Sequence, residues 1–136
     1  MEREDKELLL KDLCARLPYG VKAKYYGSAE ECECCDTIEG IYPMDDEIVI
    51  GQYGLSVDMI KPYLFPLSSM TEEQNKKYNC LKHTVFGYHY EYGDVVEEIE
   101  LYDSPESFEY LIENHFDYRG LIPKGLANDA TGLNIY

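Results

Sequence analysis

The sequence has no tryptophan, and no lysine or arginine lies between residues 28 and 60 or between residues 88 and 117. Those two windows hold nine and ten acidic residues, so they account for nearly all of a formal net charge of −15. That balance excludes broad contact with nucleic-acid phosphates or an anionic membrane surface. No apolar run approaches the roughly 18 residues of a membrane span. The charged stretch Met1–Glu7 leads into only three leucines, Leu8 to Leu10, which is too short for a secretory signal. A cytoplasmic location is therefore expected. Five cysteines, an odd number, fit the same expectation of reduced thiols. There is also no H-E-x-x-H, no G-x-S-x-G, no glycine-rich phosphate loop and no Rossmann or kinase fingerprint. A protein without catalytic machinery or cofactor is the expectation that follows.

What is present describes one folded domain. The chain of 136 residues is 45% hydrophobic, which suits a single acidic domain over residues 1–136 with its own core. Leu10, Leu13, Cys14 and Leu17 fall at helical spacing and predict a helix over 4–17, with Asp12 largely off the apolar stripe and Cys14 a small buried hydrophobe. Pro18 ends it. Val21 to Tyr26 alternate as a half-buried strand, and 27–35 reads as a polar loop. Strands are predicted at 37–42 and 47–53 around the Pro43–Asp46 turn, with a helical turn capped by Ser56. Thr71-Glu-Glu-Gln74 is a capping box that opens a surface helix to about Lys82. Ser104-Pro105 starts a last helix striped by Phe108, Leu111, Ile112 and His115. The glycine-rich tail from Phe116 reads as an irregular strap.

The strongest local pattern is a hairpin over 85–102. A turn at Gly93-Asp94 pairs Tyr92 with Val95, Tyr90 with Glu97, Tyr88 with Ile99 and Phe86 with Leu101. One face is then mostly apolar, and the other carries His89, Glu91, Glu98 and Glu100. Helices at the start, middle and end with strands between them predict an α+β domain of about three helices and an antiparallel sheet.

Three stretches carry a family resemblance: Leu8-Leu-Leu-Lys-Asp-Leu-Cys-Ala-Arg-Leu-Pro-Tyr-Gly-Val-Lys22, Val57-Asp-Met-Ile-Lys-Pro-Tyr-Leu-Phe-Pro-Leu-Ser-Ser-Met-Thr71 and Asn114-His-Phe-Asp-Tyr-Arg-Gly-Leu-Ile-Pro-Lys-Gly-Leu-Ala127. Together they cover about a third of the chain and resemble a family of small uncharacterised proteins of gut Bacteroidales and their phage-like or mobile elements. The resemblance implies a bacterial or phage-encoded intracellular protein and transfers no catalytic residue. The cysteine cluster lies outside the matching stretches.

The residues themselves leave three functional readings. The leading one is a non-catalytic protein-interaction module, whose anionic and tyrosine-rich surface meets a basic protein partner. Its candidate contacts are Asp36, Glu39, Asp45, Asp46, Glu47, Glu91, Asp94, Glu97, Glu98 and Glu100. Most of the fourteen tyrosines are expected to cover a thin core, and any left exposed beside the acids would serve the partner. A special case is mimicry of DNA, with spaced carboxylates standing in for phosphates against a nucleic-acid-binding enzyme. The third reading is a zinc site from Cys32, Cys35, Cys80 and His83, built on Cys32-Glu-Cys-Cys35 and the C-x-x-H spacing of Cys80 and His83. The acids around that cluster attract a cation but oppose thiolate formation. A nucleophilic Cys14 and a histidine-carboxylate hydrolytic site lack any supporting signature. His89 among its glutamates reads as an ion pair, and His115 as a packed residue.

Overall fold

The computed structural model describes residues 1–26 and 33–136. In chain order the elements are α1 (Arg3–Arg16), β1 (Lys22–Tyr26), β2 (Glu33–Tyr42), β3 (Glu47–Ile50), β4 (Tyr53–Ser56), β5 (Ile60–Pro66), α2 (Glu72–Leu81), β6 (His83–Glu91), β7 (Asp94–Tyr102), α3 (Pro105–Glu113), β8 (Phe116–Asp117) and β9 (Asn128–Asp129). The fold is α+β with three α-helices among the described residues, as the sequence pattern predicts. Contacts divide it into two compact units, Met1–Ser69 with Ile112–Tyr136, and Met70–Leu111.

The first unit is a sheet in the order β4-β3-β2-β1-β5-β8, with β9 also paired to β5. The pairings from β1 to β5 are antiparallel, whereas β8 and β9 join β5 in parallel, so the sheet is mixed. Parallel strands need a crossover, and here the chain between β5 and β8 supplies it. Strand alternation puts Val21, Ala23 and Tyr25 into the core and Lys22 and Lys24 on the other face. Ile48, Ile50, Ile60 and Leu64 continue the buried layer, against which α1 sets Leu9 and Leu13.

The buried face of α1 is rotated from the expected stripe. Cys14 is exposed, while Asp12 and Arg16 are fully buried. Arg16 donates through Nε to Asp12 Oδ2 at 2.8 Å and through Nη2 to the Phe116 carbonyl at 2.5 Å. Arg119 Nε donates to Asp12 Oδ1 at 3.2 Å. One carboxylate thus holds two guanidinium groups, and the pair ties the helix to the tail strand. A buried ion pair needs that degree of hydrogen bonding to offset its lost hydration, and hydropathy periodicity cannot reveal it.

Two other boundaries move. The predicted strand 47–53 divides at Gly51 and Gln52, both with positive φ, into the β3–β4 hairpin. A Cβ on Gly51 would meet Tyr25 Oη at 1.9 Å, so both the turn and the close approach demand glycine. Strand β2 also starts earlier than predicted, at Glu33.

The tail is the expected strap, and it is pinned to the sheet. His115 takes φ +63° just past α3, and its carbonyl accepts from Phe65 N at 2.8 Å. Its ring stacks on Tyr136 with centroids 3.7 Å apart. Tyr136 Oη donates to the Tyr63 carbonyl and accepts from Lys22 N, each at 2.8 Å. Burial pushes the Tyr136 phenol up to about 12, with the Lys22 amide and Arg16 opposing. Burial, aided by Arg16 and Lys22, holds His115 down at about 4. Asp117 accepts from the amides of Leu121 and Ile122, both at 2.9 Å, and so fixes the next turn.

The second unit contains α2, the β6–β7 hairpin and most of α3. Thr71 and Gln74 form the predicted capping box, with both reciprocal hydrogen bonds present. No residue of α2 is buried, in keeping with a surface helix. Ser104 Oγ accepts from Ser107 N at 3.0 Å and donates to the Leu81 carbonyl at 2.6 Å, which joins the start of α3 to the end of α2. Among the described residues no helix is long and apolar enough to cross a membrane.

Candidate functional site

The β6–β7 hairpin is a two-stranded sheet whose outer edges pair with no other strand among the described residues. Its turn lies at Tyr92 and Gly93, with φ of +51° and +86°, and not at Gly93-Asp94. Glu91 therefore faces Asp94, Tyr90 faces Val95, Tyr88 faces Glu97 and Phe86 faces Ile99. The pairing is displaced by two residues along one strand from the predicted register. Because side chains alternate with a period of two, each residue keeps its face. Both central turn positions need positive φ, the demand of a type I′ turn, and glycine meets it at the second. Tyrosine at the first is unusual, which explains why composition points to the wrong dipeptide.

One face of the hairpin carries Phe86, Tyr88, Tyr90, Val95, Glu97, Ile99 and Leu101, all exposed. Tyr88 is 72% exposed, Tyr90 81% and Ile99 61%. These rings do not cover a core as most tyrosines were expected to do. Tyr92 at the tip is 99% exposed. A contiguous apolar strip of this kind is uncommon on a protein that has no partner for it.

The opposite face is charged. His89 sits between two carboxylates, with Nε2 3.7 Å from Glu91 and Nδ1 3.4 Å from Glu98. Glu100 accepts a hydrogen bond from Tyr102, which pushes that phenol up. Five acids and no lysine or arginine occupy residues 83–102. The base of the hairpin is anchored where Tyr78 donates to Asp103 and stacks on Tyr110 at 6.5 Å. Partial burial and the Asp103 bond together raise the Tyr78 phenol.

The structure distributes the sequence-predicted contacts unevenly. Glu91, Asp94, Glu97, Glu98 and Glu100 gather on the hairpin, all exposed. Asp36, Glu39, Asp45, Asp46 and Glu47 belong to the first unit, where some are engaged internally. Asp46 accepts from Arg3 at 2.9 Å and Asp36 from Tyr25 at 2.5 Å. Asp58, also in the base-free window, pairs with Lys6 at 3.2 Å. The window lacks bases in sequence, yet α1 brings them to it in space.

Cys32, one of the four predicted zinc ligands, lies outside the described residues. Cys35 is exposed on β2 in the first unit, and Cys80 and His83 are exposed in the second. Partial desolvation pushes the Cys35 thiol up, with Lys22 opposing and Asp36 adding to the rise. Among the described residues no group of three or more His, Cys, Asp or Glu side chains is placed to hold a metal.

No protein-family model, curated protein or solved structure matches the chain. The site must therefore be read from its own geometry.

Sequence reasoning located the hairpin and its faces but passed over two residue sets. The Asp12–Arg16–Arg119 network was invisible because all three types read as surface residues. Lys24 and Lys61 lie directly opposite each other on β1 and β5. Only the pairing of strands distant in sequence brings them together.

Proposed function

We propose that the protein is a non-catalytic interaction module that captures an extended, basic segment of a protein partner on the β6–β7 hairpin. The observation that carries this reading is a two-stranded sheet with an exposed apolar face, a carboxylate face and unpaired edges. A strand added to either edge gains main-chain hydrogen bonds, and its side chains alternate between the two faces. Apolar residues of the partner would lie along Tyr88, Tyr90 and Ile99. Its intervening lysines or arginines would lie toward Glu91, Glu98 and Glu100. A second copy of the chain is the poorer occupant, because each hairpin would bring five carboxylates without a balancing base.

The test uses a synthetic peptide of alternating lysine and valine titrated into the full-length protein, followed by amide NMR. Shifts concentrated in residues 84–101, weakening as salt rises, are expected. A Tyr88→Ser/Ile99→Ser double variant should lose about tenfold or more in affinity. Shifts confined to the first unit, or affinity indifferent to the double variant, would overturn the reading. So would a concentration-dependent dimer that the same variant abolishes.

A further inference from the structure

The first unit holds a cavity of about 370 Å³ lined by Lys24, Asp58, Met59, Ile60, Lys61 and Asn128. It lies on the side of the sheet opposite the core, where β1, β5 and β9 meet. Lys24 and Lys61 occupy directly opposed positions of an antiparallel pair. Like charges so placed destabilise a sheet, and two lysines together are conspicuous in a chain of net charge −15. The one carboxylate among the lining residues, Asp58, is held by Lys6 at 3.2 Å. Lys61 forms no ion pair among the described residues.

A second observation is independent of charge. Asn128 sits in β9 beside Tyr63 of β5, and its Nδ2 is shielded from solvent with no acceptor. Leaving such a donor unsatisfied costs about 1–3 kcal/mol. Asparagine is retained there although an apolar side chain would avoid the cost. An acceptor entering the cavity would satisfy this donor and relieve the opposition of the lysines together.

We propose that this cavity binds the phosphate group of a small organic phosphate monoester. A phosphate monoester carries about −1.5 to −2 charge at neutral pH and three strong acceptor oxygens, which matches two ammonium groups and an amide donor. A single carboxylate supplies only one negative charge. Ile60 is buried and Met59 half exposed, so they offer an apolar wall to the organic part. The volume suits a ligand of metabolite size. The site lies wholly in the first unit and is independent of the hairpin.

The experiment titrates phenyl phosphate and, separately, inorganic phosphate into the full-length protein at constant ionic strength, observed by amide NMR including side-chain amides. Saturable shifts of the Asn128 side-chain amide and of residues 58–61 are expected, with phenyl phosphate the tighter ligand. Lys61→Met should weaken binding about tenfold. Asn128→Ala should weaken it as well without lowering the stability of the free protein, since it removes an unsatisfied donor. Lys76→Met, on the surface helix α2, should leave binding unchanged. The proposal is overturned if shifts stay linear to about 10 mM, if they scatter over every lysine, or if Lys61→Met and Asn128→Ala both bind like the parent protein.

Discussion

The most exacting prediction concerns Asp12. Replacing it with alanine removes the carboxylate that accepts from Arg16 at 2.8 and 3.3 Å and from Arg119 at 3.2 Å. Arg16 is fully buried and keeps only the Phe116 carbonyl as a partner, while its Nη1 already lacks one. Breaking a buried pair by deleting one member typically costs about 3–5 kcal/mol, because the remaining charge stays desolvated. With a urea dependence of about 2 kcal/mol per molar, the transition midpoint should fall by about 2 M. Far-UV circular dichroism and hydrogen exchange of α1 amides would follow it. An Asp12→Leu/Arg16→Met double variant should recover much of the loss, since it leaves no orphaned guanidinium at position 16. A single variant within about 1 kcal/mol of the parent protein would refute the argument, because exposed pairs are worth no more than that. So would a double variant as unstable as the single one.

Other expectations follow from the same unit. His115 has a folded-state pKa of about 4 against an ordinary 6.5, so the unfolded chain binds its proton first. The stability this neutral ring preserves is complete above about pH 6.5 and is lost as pH falls toward 4. Allowing for partial solvent access, the loss between pH 7 and 4.5 is about 2 kcal/mol. His115→Asn, which tolerates the positive φ, should flatten the urea-derived stability profile by that amount, and an unchanged profile would contradict the assignment. Gly51→Ala combines left-handed backbone with a Cβ 1.9 Å from Tyr25 Oη, so it should cost about 2 kcal/mol or more and disturb the Tyr25–Asp36 bond. Thermal unfolding would measure it, and a melting temperature equal to that of the parent protein would show that the turn adapts.

How much of this was legible in the sequence depends on whether the signal is local. The capping box at Thr71 and Gln74 and the cap at Ser104 are encoded within four residues, and both form as read. The hairpin faces are equally legible because alternation is a period-two pattern that survives a two-residue displacement. The turn itself was misplaced, since Tyr92 adopts a φ that its type rarely takes. The buried side of α1 was misjudged by about one position for a different reason. Its orientation is set by Arg16 reaching Phe116, 100 residues away. The short parallel strands β8 and β9 have no pattern of their own, because two residues cannot display a period. Of the candidate contacts, the hairpin acids were found by charge alone. The exposure of the rings beside them needed the structure.

The central claim is that the hairpin, and not the acidic chain as a whole, recognises a basic partner strand. The measurement that tests it most directly compares affinity for the lysine-valine peptide across two variants of equal charge change. Glu91→Gln/Glu98→Gln removes two carboxylates from the hairpin, and Glu39→Gln/Asp45→Asn removes two from the first unit. The account predicts that the hairpin variant weakens binding about tenfold or more and that the other stays near the parent affinity. Equal weakening by both variants would show that net charge alone drives the contact and would contradict the account.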